Sequence, residues 1–281
     1  MVGAQLSGET KVLSMVTPQY THGHHDSVLR SHRWRTAANS AQYLLPWLEP
    51  GQSLLDIGCG PGTITVGFAE LLAPGRVSGI DPSGDVIAQA AEFASSAGVR
   101  NVDFEVDDVY SLSAVDGSYD VVHAHQVLQH LTDPVRALRE MRRVCRPGGL
   151  VAARDADYAA MAWYPRLPAL TDWMTLYQDV ARSNAAEPDG GRFLRHWAHQ
   201  AGFTDVTSSA SVWCYSTAAE REWWGGLWAD RVGSSDFAEQ ARCRGLADTD
   251  RLARIAAGWR DWAAHPDAWF AVLHGEILCR S

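Results

Sequence analysis

The chain has 281 residues and a formal net charge of −9, with no apolar run near the ~20 residues that a membrane span needs. A protein with a net negative charge is poorly suited to binding phosphate groups, so the composition disfavours DNA, RNA and anionic lipid as partners. The five cysteines are scattered without a C-x-x-C pair, which favours free thiols in a reducing compartment over disulfides or a zinc site. Because no basic, apolar leader opens the sequence, we predict a cytoplasmic protein without a membrane partner.

Short β-branched runs alternate with helical stretches from residue 53 to about residue 157. Strands are predicted at residues 53–57, 76–80, 102–106, 118–124 and 150–154. Among the intervening helices, one should end at Gly98 and another should begin at Pro134, whose missing N–H costs nothing in a first turn. Strands that alternate with helices of about 10–15 residues predict right-handed βαβ units and a mainly parallel sheet.

The second half of the chain is less regular, with helical patterns that interrupt the remaining strands. We predict three regions: an N-terminal helical lid at 1–45, a cofactor-binding core at 46–157, and the rest of the sheet at 158–281 with helical insertions at about 158–190 and 218–264. The lid and the insertions would cover the carboxyl ends of the strands, where open α/β sheets bind their ligands.

The strongest local signal is the run LLDIGCGPGT at residues 54–63. A glycine-rich turn between a strand and a helix lets the backbone approach a ligand closely and directs helix N–H groups at it. The spacing at Gly58, Gly60 and Gly62 is G-x-G-x-G, and not the G-x-G-x-x-G of dinucleotide binders. A carboxylate at Asp56 would repel a pyrophosphate and suits an ammonium group. The pattern therefore disfavours NAD and favours a nucleoside that carries an amino acid.

This run resembles motif I of the class I S-adenosylmethionine-dependent methyltransferases. Four further segments follow in that family's order: GIDPS at 79–83, DDV at 107–109, YDVV to LQHL at 119–131, and RPGG at 146–149. The resemblance covers residues 53 to about 155 and implies S-adenosylmethionine as the cofactor. It also implies a Rossmann-like α/β fold, a three-layer sandwich with a mostly parallel seven-stranded sheet and helical cap insertions.

The same resemblance implies the cofactor-binding residues. Asp81 is expected to take both ribose hydroxyls beside Pro82, whereas Asp108 would meet the adenine amino group and Val109 the ring edge. The expected set also includes residues of the glycine loop, of the end of the fourth strand and of the lid: Asp56, Gly58, Gly60, His125, Gln126 and Tyr20.

Within the family, the chain resembles most the ubiquinone/menaquinone-type branch and its actinobacterial relatives in natural-product pathways. The segments YTHGH at 20–24 and RWRTA at 33–37 carry this part of the resemblance, which implies that Tyr20 lies over the cofactor. The neighbouring histidines at 22, 24 and 25 invite a metal interpretation. Because metal-dependent members use aspartates and an asparagine near strands four and five instead, we predict no metal.

Candidate catalytic groups follow strands four and five or lie on the lid. Asp155 is predicted as a base or substrate anchor, the alternative being an ion pair with Arg154 or a helix cap. His130 and Tyr20 complete the set, with a structural role for the histidine and an exposed loop for the tyrosine as alternatives. An oxygen nucleophile usually needs a base or a metal at the start, whereas an electron-rich ring carbon needs no prior deprotonation.

Of the twelve tryptophans, ten lie after residue 160, which indicates either a Trp-rich core or an aromatic-lined pocket. Trp163, Trp213 and Trp224 are predicted to contact substrate. We predict methyl transfer to a small hydrophobic aromatic natural product, with C-methylation of an indole-like ring as the first choice. The alternatives are N- or O-methylation, a methylation-triggered cyclisation and a cofactor-binding regulatory protein, and a homo-oligomer stays open.

Overall fold

The computed structural model of the protein describes residues 34–281. The predictions made for Tyr20 and for His22, His24 and His25 therefore lie outside the described residues, as does most of the predicted lid.

One mixed sheet with helices on both sides forms the body of the described chain. Its strands are β1 Leu54–Ile57, β2 Val77–Asp81, β3 Val102–Val106, β4 Tyr119–His125, β5 Cys145–Ala156, β6 Ala162–Tyr164, β7 Val206–Tyr215 and β8 Trp269–Arg280. Its helices are α1 Ala37–Ser40, α2 Thr63–Leu72, α3 Gly84–Ala97, α4 Pro134–Val144, α5 Pro168–Ser183, α6 Leu194–Gln200, α7 Ala218–Ser234, α8 Asp236–Cys243 and α9 Thr249–Ala264. Short 3₁₀ turns lie at Leu45–Trp47, Leu128–His130, Tyr158–Ala160 and Gly190–Phe193.

The sheet has the order β3-β2-β1-β4-β5-β8, with β7 along the far edge of β8. Strands β1 to β5 pair in parallel, and β8 runs antiparallel to β5, β6 and β7. The predicted α/β fold is confirmed, but the described sheet has eight strands and not seven. The additional strand, β6, has three residues and pairs with β8 beyond the end of β5. A segment this short shows no periodicity in the sequence, so the helical insertion predicted at about 158–190 covers it.

Local signals set the helix boundaries in the first half of the chain. Helix α3 begins after Ser83, whose side chain accepts the N–H of Val86, and ends at Gly98 with a φ of 73°. Helix α4 begins at Pro134 after Asp133, whose carboxylate caps the helix. Both predicted boundaries are confirmed.

Helices α5, α7, α8 and α9 form a helical cap with a hydrophobic core of its own, and β8 contributes Phe270 to that core. Trp173 contacts two further indoles there, with ring centroids 4.6 Å from Trp228 and 4.9 Å from Trp259. These three rings and Trp262 are at most 1% exposed. Many of the tryptophans after residue 160 are therefore core residues, which pack through edge-to-face contacts between aromatic rings.

Two adjacent glycines in α7 test how tightly this cap is packed. An added Cβ at Gly225 would lie 2.7 Å from the Cβ of Ala263 and 2.8 Å from the carbonyl oxygen of Trp259, whereas one at Gly226 meets nothing within 4 Å. We expect Gly225→Ala to lower the free energy of unfolding by about 1–3 kcal/mol through overpacking. Gly226→Ala should raise it by about 0.5–1 kcal/mol, because it gains only helix propensity. Urea unfolding of both variants checks this, and equal shifts would show that α7 and α9 are not in close contact.

Candidate active site

The glycine loop between β1 and α2 has backbone angles that favour glycine. Gly58, Gly60 and Gly62 have φ values of 65°, 54° and 81°, in the left-handed region that favours glycine. A Cβ at Gly58 would also lie 2.5 Å from a methyl group of Val127, which follows β4. The loop therefore packs directly against the end of the neighbouring strand.

A cavity of about 460 Å³, here called the cofactor cavity, lies at the carboxyl ends of β1, β2 and β4. Every predicted cofactor-binding residue in the described part of the chain lines it: Asp56, Gly58, Gly60, Asp81, Pro82, Asp108, Val109, His125 and Gln126. Sequence reasoning did not name several other lining residues: Arg35, Cys59, Tyr110, Val127 and Leu131. His130, predicted as catalytic, also lies on this wall.

Two carboxylates on the cavity wall are held by backbone amides. Asp81, at the end of β2, accepts the N–H groups of Gly60 at 3.3 Å and Ser83 at 3.0 Å. Asp108 accepts the N–H of Tyr110 at 2.9 Å. These bonds fix the direction of both side chains on the cavity wall.

Asp56 has a structural role that the sequence did not reveal. Its side chain is 2% exposed, and its two oxygens bond the hydroxyl of Thr65 at 2.6 Å and Nδ1 of His123 at 2.8 Å. The carboxylate thereby ties β1 to α2 and β4, beneath the glycine loop.

His125, the last residue of β4, is a buried neutral imidazole on the cavity wall. Burial holds its pKa well below the ordinary value, and the positive charges of Arg154 and Arg35 lower it further. Neither ring nitrogen has a hydrogen-bond partner among the described residues. Buried polar groups are nearly always satisfied, so these nitrogens indicate a polar group of a bound ligand.

The cofactor cavity fits S-adenosylmethionine. The glycine cradle admits the ligand backbone closely, carboxylates at the wall suit hydroxyl and ammonium donors, and the His125 nitrogens are available to the ligand.

A second cavity, here called the aromatic cavity, lies between the sheet and the cap. Its wall consists mainly of aromatic rings: Trp34, Tyr158, Trp213, Tyr215, Trp223, Trp224 and Trp228. Trp34 meets Trp213 edge-on at 5.1 Å, and Tyr215 stacks on Trp224 at 4.4 Å. Arg35 and Gln126 line both cavities, so the two spaces meet at these side chains.

Gln126 is fixed at this junction by a consistent set of hydrogen bonds. His274 directs Nδ1 at the carbonyl oxygen of Val272 at 3.1 Å, so Nδ1 carries the proton and Nε2 is an acceptor. The Gln126 amide nitrogen lies 2.8 Å from that Nε2 and donates to it. Its amide oxygen then faces Arg35, whose Nη2 donates at 2.7 Å.

Two of the three predicted substrate contacts lie at this second cavity. Trp213 and Trp224 are on its wall. Trp163 instead stacks on Phe270 at 5.8 Å and packs against the cap core. Strand β6 pairs with β8 beyond the end of β5, so Trp163 does not lie on the cavity wall.

Asp155 lies away from both cavities. It is fully buried, and its Oδ1 accepts the N–H of Gln129 at 3.3 Å in the turn that follows β4. The predicted alternative partner, Arg154, forms its ion pair with Glu276 at 3.2 Å instead. Asp157 pairs with Arg192 and caps the next turn. Asp155 does not reach either cavity, because the turn after β4 folds over it.

His130 lies on the cofactor cavity but is poorly suited to accept a proton. The side-chain oxygen of Gln129 accepts the N–H of Ala156, so the Gln129 amide nitrogen is the donor to Nε2 of His130 at 3.1 Å. Desolvation lowers the pKa of His130 to about 3, and the charges of Arg35 and Arg231 act in the same direction. This geometry supports the structural alternative for His130.

Comparison with known proteins supplies the family. The family model described as "Methyltransferase domain" matches residues 48–222 of this chain. The chain belongs to this methyltransferase family. An uncharacterized methyltransferase of Schizosaccharomyces pombe is 34% identical over 269 residues, which cover 92% of this chain and 95% of that protein.

Two other proteins are similar to this chain, one in part of its sequence and one in its fold. The ubiquinone/menaquinone biosynthesis C-methyltransferase UbiE of Bdellovibrio bacteriovorus is 36% identical over 103 residues, 37% of this chain and 43% of that protein. The YcgJ protein of Bacillus subtilis shares the fold, with a TM-score of 0.55 and 20% identity over 85% of this chain and 98% of that one. The protein is a methyltransferase with the class I fold, and its cofactor is S-adenosylmethionine.

Two negative findings apply to residues 34–281. None of the helices in this part of the methyltransferase combines the length and hydrophobicity that a membrane span requires. Its histidine, cysteine and acidic side chains form no cluster suited to a metal ion.

We expect Asp81→Asn to weaken the binding of S-adenosylhomocysteine by about 1–3 kcal/mol, because hydrogen bonds from ribose hydroxyls to a charged acceptor are lost. Calorimetric titration measures the effect as roughly a 10- to 100-fold rise in Kd. Glu92→Gln, which removes an exposed carboxylate from α3, is the matched control and should bind like the wild type. Equal affinities for all three proteins would remove Asp81 from the cofactor site.

Burial raises the pKa of Asp155 to about 7. Between pH 4 and 7 the folded protein therefore keeps a proton that the unfolded chain releases, so this side chain makes folding less favourable as pH rises. The free energy of unfolding of the wild type should fall relative to that of Asp155→Asn across this window, by at most about 1.4 kcal/mol per pH unit. Urea unfolding at several pH values measures the difference, and parallel curves would contradict the raised pKa.

Proposed function

We propose that the enzyme methylates a small aromatic molecule bound in the aromatic cavity, with a carbon atom of an indole-like ring as the acceptor. The observation that carries this proposal is the junction of the two cavities at Gln126 and Arg35. When bound, S-adenosylmethionine supplies an electrophilic methyl group. The protein has to align the acceptor with that group and exclude water, and both tasks depend on a closed neighbouring pocket.

The wall of the aromatic cavity suits a flat ring. The ring centroid of Trp34 lies 5.1 Å from that of Trp213 and 5.6 Å from that of Trp223. A substrate ring would make the same stacked and edge-on contacts that these side chains make among themselves. Such contacts orient a planar substrate and shield it from water.

The space now left between these rings is about 30 Å³, enough for one or two water molecules. A ring system can enter only if a side chain of the wall moves. Trp34 is 39% exposed, whereas Trp213 and Trp224 are buried. Moving Trp34 would therefore expose less buried apolar surface than moving either of the other two. We propose that Trp34 swings aside on substrate entry.

The groups available for proton transfer favour an acceptor that is reactive without prior deprotonation. Asp155 lies outside both cavities, and His130 has its acceptor nitrogen bonded and a lowered pKa. The neutral His125 lies next to Trp213, with ring centroids 5.6 Å apart. Its lowered pKa makes it too weak a base to activate an oxygen acceptor, whereas the strongly acidic proton of a methylated ring cation needs only a weak acceptor. This arrangement supports carbon over oxygen as the acceptor, and an amine nitrogen is the second candidate.

We also propose that the enzyme works in a reducing, cytoplasmic compartment on a natural-product substrate. All five cysteines are free thiols, and Cys59, Cys145 and Cys279 are buried. The natural-product assignment is supported by the aromatic wall and by the N-terminal resemblance.

Methyl-labelled S-adenosylmethionine, incubated with a panel of indoles, phenols, amines, sugars and peptides, tests the proposal. We expect label on indoles, with the new methyl on carbon by NMR. Trp224→Leu should lower kcat/KM by about 10- to 100-fold, through loss of about 1–3 kcal/mol of ring contact, without changing the affinity for S-adenosylhomocysteine.

Trp47→Leu is the matched control, because Trp47 is 47% exposed and lies on neither cavity wall. It should leave kcat/KM unchanged. Label found only on sugars or peptides, or equal losses in both variants, would overturn the proposed substrate class.

A further inference from the structure

One hydroxyl on the wall of the aromatic cavity has no hydrogen-bond partner among the described residues. It belongs to Tyr215, the last residue of β7, which is 1% exposed. The ring of Tyr215 stacks on Trp224 at 4.4 Å and lies 5.8 Å from the rings of Trp34 and Trp223, so its surroundings are largely aromatic. An unpaired hydroxyl is costly there, because burial removes the hydrogen bonds that it would make with water.

The ring that stacks on Tyr215 adds a second polar atom of this kind. Trp224 is 6% exposed, and its Nε1 has no partner in the described part of the chain. Trp173 and Trp259 also have unpaired indole nitrogens, but both rings lie in the cap core and line neither cavity. The nitrogen of Trp224 alone therefore does not mark a site. It adds chemical direction, because an indole N–H can only donate and a ligand group that bonds to it has to accept.

The hydroxyl of Tyr215 is suited to donate as well. Burial raises the pKa of Tyr215, so the phenol keeps its proton at neutral pH. No carboxylate of residues 34–281 lies on the wall of the aromatic cavity, and the amide oxygen of Gln126 already accepts from Arg35. A substrate that donates would find no carboxylate on this wall, whereas a substrate that accepts would find two donors.

We infer that the aromatic substrate carries a neutral carbonyl oxygen, which accepts a hydrogen bond from the hydroxyl of Tyr215 when the ring occupies the aromatic cavity. The inference rests on the proposed function, including the movement of Trp34, and adds the polar group that orients the ring. A carbonyl oxygen offers two lone pairs near the plane of a conjugated ring and has no hydrogen that would meet a donor. Tyr215 is thus a residue that determines specificity, because an analogue without the oxygen leaves the buried hydroxyl unpaired.

Binding of two matched probes tests the inference with the whole enzyme saturated with S-adenosylhomocysteine. 5-Acetylindole and 5-isopropylindole have similar shapes, and the first carries a carbonyl oxygen where the second carries a methyl group. We expect calorimetry to give about tenfold tighter binding for the ketone. Tyr215→Phe removes only the hydroxyl and should abolish this preference, whereas the affinity for S-adenosylhomocysteine stays unchanged.

The stability of the variants distinguishes this role from a structural one. Because the hydroxyl of Tyr215 has no partner among the described residues, Tyr215→Phe should not lower the urea midpoint of unfolding. Tyr119→Phe provides the opposite case, since the hydroxyl of Tyr119 donates to Oγ of Ser78 at 3.1 Å. This variant should unfold at a lower urea concentration and keep the wild-type preference for the ketone.

Tyr43→Phe is the matched control for the loss of an unpaired hydroxyl. The hydroxyl of Tyr43 is also buried without a described partner, but Tyr43 lines neither cavity, so this variant should keep the preference. The inference would be overturned by equal or weaker binding of the ketone to the wild type, or by binding of neither probe. A preference that survives Tyr215→Phe, an equal loss in Tyr43→Phe, or a lowered unfolding midpoint of Tyr215→Phe would also overturn it.

The label-transfer panel separates failure of this inference from failure of the proposed function. If indoles accept the methyl group and 5-acetylindole binds no better than 5-isopropylindole, the aromatic substrate class stands and the carbonyl group is wrong. If the ketone is preferred through Tyr215 but no aromatic compound is methylated, the proposed function is wrong.

Discussion

Gln126 occupies the position on which the two halves of the active site depend. It follows the last residue of β4 and has a φ of 54°, a left-handed conformation that costs a non-glycine residue about 1–3 kcal/mol. Its backbone N–H donates to the carbonyl oxygen of Arg154 at 2.7 Å, and its amide is bonded to Arg35 and His274. This set of bonds keeps the strained turn in place. The side chain of Gln126 thereby forms part of the wall that both cavities share.

The chemistry that this wall supports is mainly positioning. Parallel strands bring the ends of β1, β2 and β4 to one edge of the sheet, so the acidic side chains converge on the cofactor cavity. Antiparallel β7 and β8 bring Trp213 and His274 to the other side of Gln126. The imidazoles there are kept neutral by burial and by nearby arginines, and Asp155 holds the turn after β4 from below. Methyl transfer needs little acid–base catalysis when the acceptor is already nucleophilic. A site that aligns the two reactants and excludes water is then sufficient.

The tryptophans of the cap both form its hydrophobic core and line the aromatic cavity. Trp173, Trp228 and Trp259 form its core, and their edge-to-face packing gives the cap a rigid inner surface. Trp224 and Trp228 reach from α7 to the aromatic cavity, so the same helix that stabilises the cap also lines the site. The close approach of α7 to α9 at Gly225 fixes that helix in position.

The sequence by itself determined the cofactor half of this enzyme. Asp56, Gly58, Asp81 and Asp108 each lie at the end of a predicted strand, and a parallel sheet brings such ends together whatever surrounds them. Local signals such as Ser83, Gly98 and Pro134 set the helix boundaries for the same reason, since capping involves residues only a few positions apart. The family's order of motifs then identified the ligand.

Only the tertiary structure brought together the wall of the aromatic cavity, where we propose that the substrate binds. Arg35, Gln126, Tyr215 and Arg231 come from four distant segments, and no local pattern places them on one wall. The place of Asp155 after the fifth predicted strand favoured a base or substrate anchor, but the turn after β4 covers this side chain. Trp213 and Trp163 look alike in the sequence, yet the pairing of β7 and β6 with β8 puts Trp213 on the cavity wall and leaves Trp163 stacked on Phe270 outside it. Such contacts depend on how separate elements pack, which is a property of the whole fold and not of any segment within it.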